Sequence, residues 1–123
     1  MTAAVMRWFG HEGAEVGDDL VTVAPGAYAP SDVFVEPDAS SASYPLAIAA
    51  ITGSTVEIRG LGEHALQGDA AFVDLLEALG CAVVRTPGSV RVLGPAAGGL
   101  AGIDVDMADI SDLVPSGAAV ALF

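Results

Sequence analysis

The same ordered set of short segments occurs twice in this chain, about 70 residues apart, and a duplicated unit constrains the fold more than any single motif. Residues 5–10 align with 75–80, Val21–Val23 with 90–92, and 33–35 with 103–105. Pro45 and its Ala-rich run align with Pro115 and its own. Identity between the copies is low, but the order is kept. The echo predicts a helix, a hairpin, a third short strand and a second helix, made twice.

The second copy is the easier to read. Phe72, Leu75, Leu76 and Leu79 recur at i, i+3, i+4 and i+7, which puts them on one helix face. Asp69 stands near the start of that helix, where a carboxylate suits unpaired amides. Gly80 is placed to stop it, being free to take positive φ. Residues 82–85 and 89–93 alternate as strands about the turn pair Pro87-Gly88. In the first copy Val21–Val23 follow a turn at Gly17, Asp18 and Asp19, and Thr55–Arg59 begin a new strand. Residues 44–52 predict a helix apolar on nearly every side, buried centrally, with Pro45 in its first turn and a start near Ser43. Met1 opens directly into helical periodicity with Trp8 and Phe9 core-like, and Phe123 closes inside a second helix of buried type. The repeat is therefore expected to be truncated at both ends.

Composition narrows the function. More than half of the 123 residues are apolar, which excludes a disordered tail. No apolar stretch approaches the roughly 20 residues that a membrane span needs. A single cysteine, Cys81, excludes an internal disulfide and fits a cytoplasmic chain. Sixteen acidic residues stand against four basic ones, for a formal charge of −12. Such a surface argues against nucleic acid and against anionic lipid.

Three motifs carry a resemblance. Residues 35–44 run Val, Glu, Pro, Asp38, Ala, Ser40, Ser41, Ala, Ser43, Tyr44; Gln67-Gly68-Asp69 leads into an apolar helix; and Asp104-Val105-Asp106-Met107 runs on to Asp112 and Pro115. In order and spacing they resemble the 3-phosphoshikimate 1-carboxyvinyltransferase family over nearly the whole chain. The resemblance implies an α+β (α/β) fold of βαβαββ units, of the enolpyruvyl transferase inside-out α/β barrel type. Residues 1–36 would end one lobe and 37–123 would begin the other. It further implies transfer of the enolpyruvyl group of phosphoenolpyruvate to the 5-hydroxyl of shikimate 3-phosphate, with release of phosphate and with no cofactor or metal. Both substrates are anions, so the complete site needs Lys and Arg, which this segment does not supply. It is expected to be inactive alone and, with apolar faces uncovered, to self-associate.

Asp112 is the candidate catalytic and substrate-binding residue. The resemblance makes it the proton acceptor for the attacking hydroxyl; its place just ahead of Pro115 and an apolar helix also suits an N-cap. Asp38, Ser40, Ser41 and Ser43 read as capping residues, or as a cluster that sets lobe closure. His11 and His64 sit in polar loops without a second ligand, and Cys81 reads as a buried small apolar residue. Two other functions are compatible with the sequence. One is a free-standing assembly module that has lost its site; the other is part of a UDP-N-acetylglucosamine 1-carboxyvinyltransferase.

Overall fold

A computed structural model describes residues 1–96 and 98–123, and the chain divides into two compact units, Met1–Val35 and Glu36–Phe123. The first unit is small. Helix α1 (Thr2–Trp8) is followed by an antiparallel hairpin of β1 (Ala14–Val16) and β2 (Val21–Val23), with Val16 opposite Val21. The Arg7 guanidinium donates to the Ala14 carbonyl at 3.1 Å and ties helix to hairpin. Contrary to expectation, Trp8 is 40% exposed and α1 buries no residue. A two-turn helix and a two-stranded ribbon offer no second layer to cover it. His11, expected in a polar loop, is instead buried: its Nε2 is 3.1 Å from the Ala24 carbonyl and its ring leans on Tyr28.

The second unit is a helical layer on one face of a sheet. Strands β3 (Thr55–Arg59), β4 (Ala82–Thr86) and β5 (Ser89–Leu93) pair antiparallel in the order β3-β5-β4. β5 therefore lies between two strands that run the same way. A 3-10 segment (Gly68–Ala71) and helix α3 (Phe72–Ala78) make the crossover from β3 to β4. Alternation follows the pleat: Val90 and Val92 are buried, whereas Arg91 and Leu93 face out. Helix α2 (Ala39–Thr52) contacts β3, β5, α3 and helix α4 (Val114–Val120), and a second 3-10 segment (Ala108–Leu113) leads into α4. The core joins Ala39, Leu46 and Ala50 of α2 with Phe72 and Leu76 of α3, Val92 of β5, Leu113 and Val120. Cys81 is a free buried thiol, and burial raises its pKa. The described helices include none long and apolar enough to cross a membrane.

The repeat is visible in this order. In both copies a helix ends at a glycine of positive φ, Gly10 at 78° and Gly80 at 103°, and a hairpin follows. At the second stop the Cys81 amide reaches the Leu76 carbonyl at 3.0 Å and closes the last turn. The expected third strands, 33–35 and 103–105, do not form. Among the described residues neither has a ladder partner, and an extended segment without one is not a strand. The architecture is mixed α+β.

Helix α2 departs from expectation in two ways. It begins at Ala39, after Asp38, so Pro45 lies inside it rather than in its first turn. The Ser41 carbonyl, four residues back, thereby loses its N–H partner. Nor is the helix buried all round: Ser41, Tyr44, Ile48 and Thr52 form an exposed stripe, with Tyr44 at 65%. Its other sides bury Ala39, Ala42, Ala47, Ala49 and Ala50, so neighbouring backbone comes close. A Cβ on Gly94, just beyond β5, would stand 2.1 Å from the Ala49 carbonyl oxygen. Gly94→Ala is therefore expected to cost about 3 kcal/mol or more in urea unfolding. Gly88→Ala at the open hairpin tip, where an added Cβ would meet nothing within 4 Å, should stay within about 0.5 kcal/mol of wild type.

Candidate functional site

Asp112 lies in the 3-10 segment Ala108–Leu113, and its residue is exposed. It does not cap α4. The capping position belongs to Leu113, and the Val114 amide at the junction bonds to the Ser111 carbonyl. The next helical residue, Pro115, has no N–H to cap. A side-chain cap is thus redundant, because the 3-10 turn runs straight into the helix. Among the described residues the Asp112 carboxylate has no hydrogen-bond or salt-bridge partner.

The Asp38–Ser43 cluster divides into two roles. Asp38 is the N-cap of α2, accepting from the amides of Ser40 and Ser41 at 3.0 and 3.3 Å. The Ser41 hydroxyl adds a bond to the same carboxylate at 2.6 Å. These donors, the Ser41 hydroxyl first, hold the Asp38 pKa below its ordinary 3.8. Ser40 and Ser43 are not caps: the Ser40 hydroxyl donates to Asp69, and the Ser43 hydroxyl donates to the Ser40 carbonyl at 2.7 Å. Asp69, expected to serve α3, makes no side-chain cap for it.

Two polar residues to which the sequence assigned no mutual contact, Glu36 and Gln67, anchor the same region. Glu36 Oε1 accepts from the Leu66 amide, the Gln67 amide and Gln67 Nε2, each at 3.0 Å. Gln67 in turn accepts from the Ala39 amide at 2.9 Å and donates to the Pro37 carbonyl at 2.7 Å. The available signal was the pairing of an acidic residue before Pro37 with the Gln-Gly-Asp motif. Sequence spacing gives no hint that the two meet.

Positive charge is scarce, and two of the four arginines are held by carboxylates. The Arg85 guanidinium is held by Asp74 and Glu77, and Arg91 pairs with Glu57 at 3.5 Å. A cleft of about 260 Å³ under Leu61 and Gly62 has Arg85 in its wall, but that cation is already matched by carboxylates. Within the described residues no three His, Cys, Asp or Glu side chains gather as metal ligands. Asp112 presents an exposed carboxylate, and among the described residues no cluster of cations gathers that would cradle a phosphate.

Strands β3 and β4 run the same way with β5 between them, a split β-α-β unit in a mixed α+β scaffold that leaves Asp112 exposed. The chain belongs to the EPSP synthase (3-phosphoshikimate 1-carboxyvinyltransferase) family, whose model matches residues 1–123. It is 42% identical over 124 residues to the 3-phosphoshikimate 1-carboxyvinyltransferase of Nostoc punctiforme, and 41% over 125 residues to that of Thiobacillus denitrificans. Both matches take in the whole of this chain and 29% of the relative.

The lowered Asp38 pKa fixes the sign of a pH effect. The carboxylate's contribution to stability is full above its unfolded value and is lost as pH falls through the lower folded one. Asp38→Ala should lower the thermal midpoint at neutral pH. That difference should shrink as pH is taken from about 5 towards 2, followed by circular dichroism.

Proposed function

We propose that this chain is part of an enzyme that moves the enolpyruvyl group of phosphoenolpyruvate to the 5-hydroxyl of shikimate 3-phosphate, with Asp112 taking the hydroxyl proton. The observation that carries this reading is the Asp112 carboxylate, exposed and free of any capping bond. In this reaction the 5-oxygen attacks the enol carbon of phosphoenolpyruvate while its proton passes to Asp112. A proton supplied by another part of the enzyme turns the methylene into a methyl group. The tetrahedral adduct then loses a methyl proton and expels phosphate, which restores the double bond in the product. A carboxylate suits the first transfer if it is held within hydrogen-bond reach of the hydroxyl. The Lys and Arg that neutralise both anions come from the rest of the enzyme.

On this reading residues 1–36 finish one lobe and 37–123 begin the other, each lobe being built of βαβαββ units in an inside-out α/β barrel. The repeated helix-glycine-hairpin order supports it. The lone buried thiol of Cys81 fits a cytoplasmic chain. The isolated chain is inactive, since it holds only four basic residues and two of them, Arg85 and Arg91, are paired with its own carboxylates.

The test places this chain in the matching segment of the Nostoc punctiforme enzyme. The chimera should turn over both substrates, and the 123-residue chain alone should not. Asp112→Asn in the chimera should lower kcat by about 10²–10⁴-fold with little change in thermal midpoint. Turnover equal to the unmutated chimera would remove Asp112 from the chemistry.

Exposed apolar side chains at Tyr44, Ile48, Val105 and Val114 give the isolated chain surface to bury against a second copy. A formal charge of −12 on each copy opposes that. Sedimentation equilibrium is expected to show a dimer or larger, strengthening as salt screens the charge. A monomer at all salt concentrations would count against self-association.

A further inference from the structure

Ser40 and Ser43 lie one turn apart at the start of α2, and together they begin a line of hydrogen bonds that crosses the unit. Asp69 accepts from the Ser40 hydroxyl, the Ser40 carbonyl accepts from the Ser43 hydroxyl, and Ser43 Oγ meets Ser116 Oγ at 3.2 Å. The line runs through apolar packing of Ala39, Ala42, Leu46, Leu113 and Val120. Ser43 is 0% exposed. A wholly buried hydroxyl destabilises a core unless its bonds are made, and alanine would fill nearly the same space with no such demand. What the hydroxyl adds is direction, because a hydrogen bond fixes the facing of two surfaces that alanines would let slide.

The two ends of this line bracket one residue. Ser116 is in the first turn of α4, four residues beyond Asp112. Asp69 belongs to the 3-10 segment Gly68–Ala71, which packs against Ala108–Leu113, the segment that carries Asp112. A Cβ on Gly68 would lie 3.8 Å from the Asp109 carbonyl oxygen, so the approach is close. The segment holding Asp112 is short and is kinked at Ile110, so it has little stiffness of its own. We propose that the seam Asp69–Ser40–Ser43–Ser116 aims Asp112, and that Ser43 and Ser116 are positioning residues for proton transfer. This rests on the role given to Asp112 above.

The experiment is a double-mutant cycle in the Nostoc chimera, with amide exchange on the 123-residue chain beside it. Ser43→Ala and Ser116→Ala should each lower kcat about tenfold, leave KM for both substrates within about twofold, and lose nothing further in an Asp112→Asn background. Ser116→Thr, which keeps the hydroxyl at a half-buried position, should retain most of the turnover. In the 123-residue chain Ser43→Ala should speed exchange across residues 110–116 about tenfold while Val90 and Val92 keep their rates. Equal losses with and without the Asp112 carboxylate, or exchange that is unchanged or raised everywhere alike, would overturn the seam and leave the role of Asp112 standing. Full turnover in Asp112→Asn alone, or an inactive unmutated chimera, would instead sink the proposed function. In that case the exchange pattern decides whether the seam orients the segment.

Discussion

The second unit is assembled on the bare backbone of α2. Alanines at 39, 42, 47, 49 and 50 leave its surface almost smooth, and Gly94 brings the end of β5 against the Ala49 carbonyl with no room for a Cβ. Close approach of this kind maximises dispersion contacts, but it tolerates no added atoms. Strands β3 and β5, helices α3 and α4 and both 3-10 segments all reach α2. The helix is therefore the common reference for these elements, and β4 is placed through β5 and α3. Its stop at Gly53, with φ of 66°, lets the chain reverse directly into β3.

Packing against alanine fixes distance but not orientation, and the polar groups at the start of α2 supply the second. Asp38 caps it, Gln67 bonds its first residue, and Glu36 holds the turn that carries Gln67. A chain so rich in carboxylates spends several of them as acceptors for its own amides and hydroxyls. This is an economical use of negative charge, since each ionised acceptor bonds more strongly than a neutral one would. It also explains why the unit is well fixed locally while having so little to offer an anion.

The sequence made some of this plain and hid the rest for physical reasons. Periodicity found α3, β3 and the β4–β5 hairpin, because Phe72, Leu76, Val90 and Val92 bury a single face each. The start of α2 lies earlier than Pro45 suggests, because the cap at Asp38 outweighs the preference of proline for a first turn. Periodicity gave strands at 33–35 and 103–105 because alternation reports a tendency to extend, whereas a strand also needs a neighbour. The duplicated order was legible since glycine stops and hairpin turns are local signals. Asp112 was marked by a motif, but its freedom from capping was not visible, since that depends on a 3-10 turn running into α4. Ser40 and Ser43 read as caps because their partners, Asp69 and Ser116, are distant in the chain. His11 was misplaced for the same reason: Ala24 and Tyr28, which enclose it, fold back from farther along.

The β4–β5 hairpin and the buried thiol have a practical corollary. A side chain added at Gly88 would meet no atom within 4 Å beyond its chain neighbours, whereas Cys81, the chain's one thiol, is buried and its pKa is raised by that burial. A cysteine installed at that tip would be the only sulfur a maleimide dye could reach. The chain thus comes with a ready attachment point for fluorescence, remote from the α2 packing and silent everywhere else.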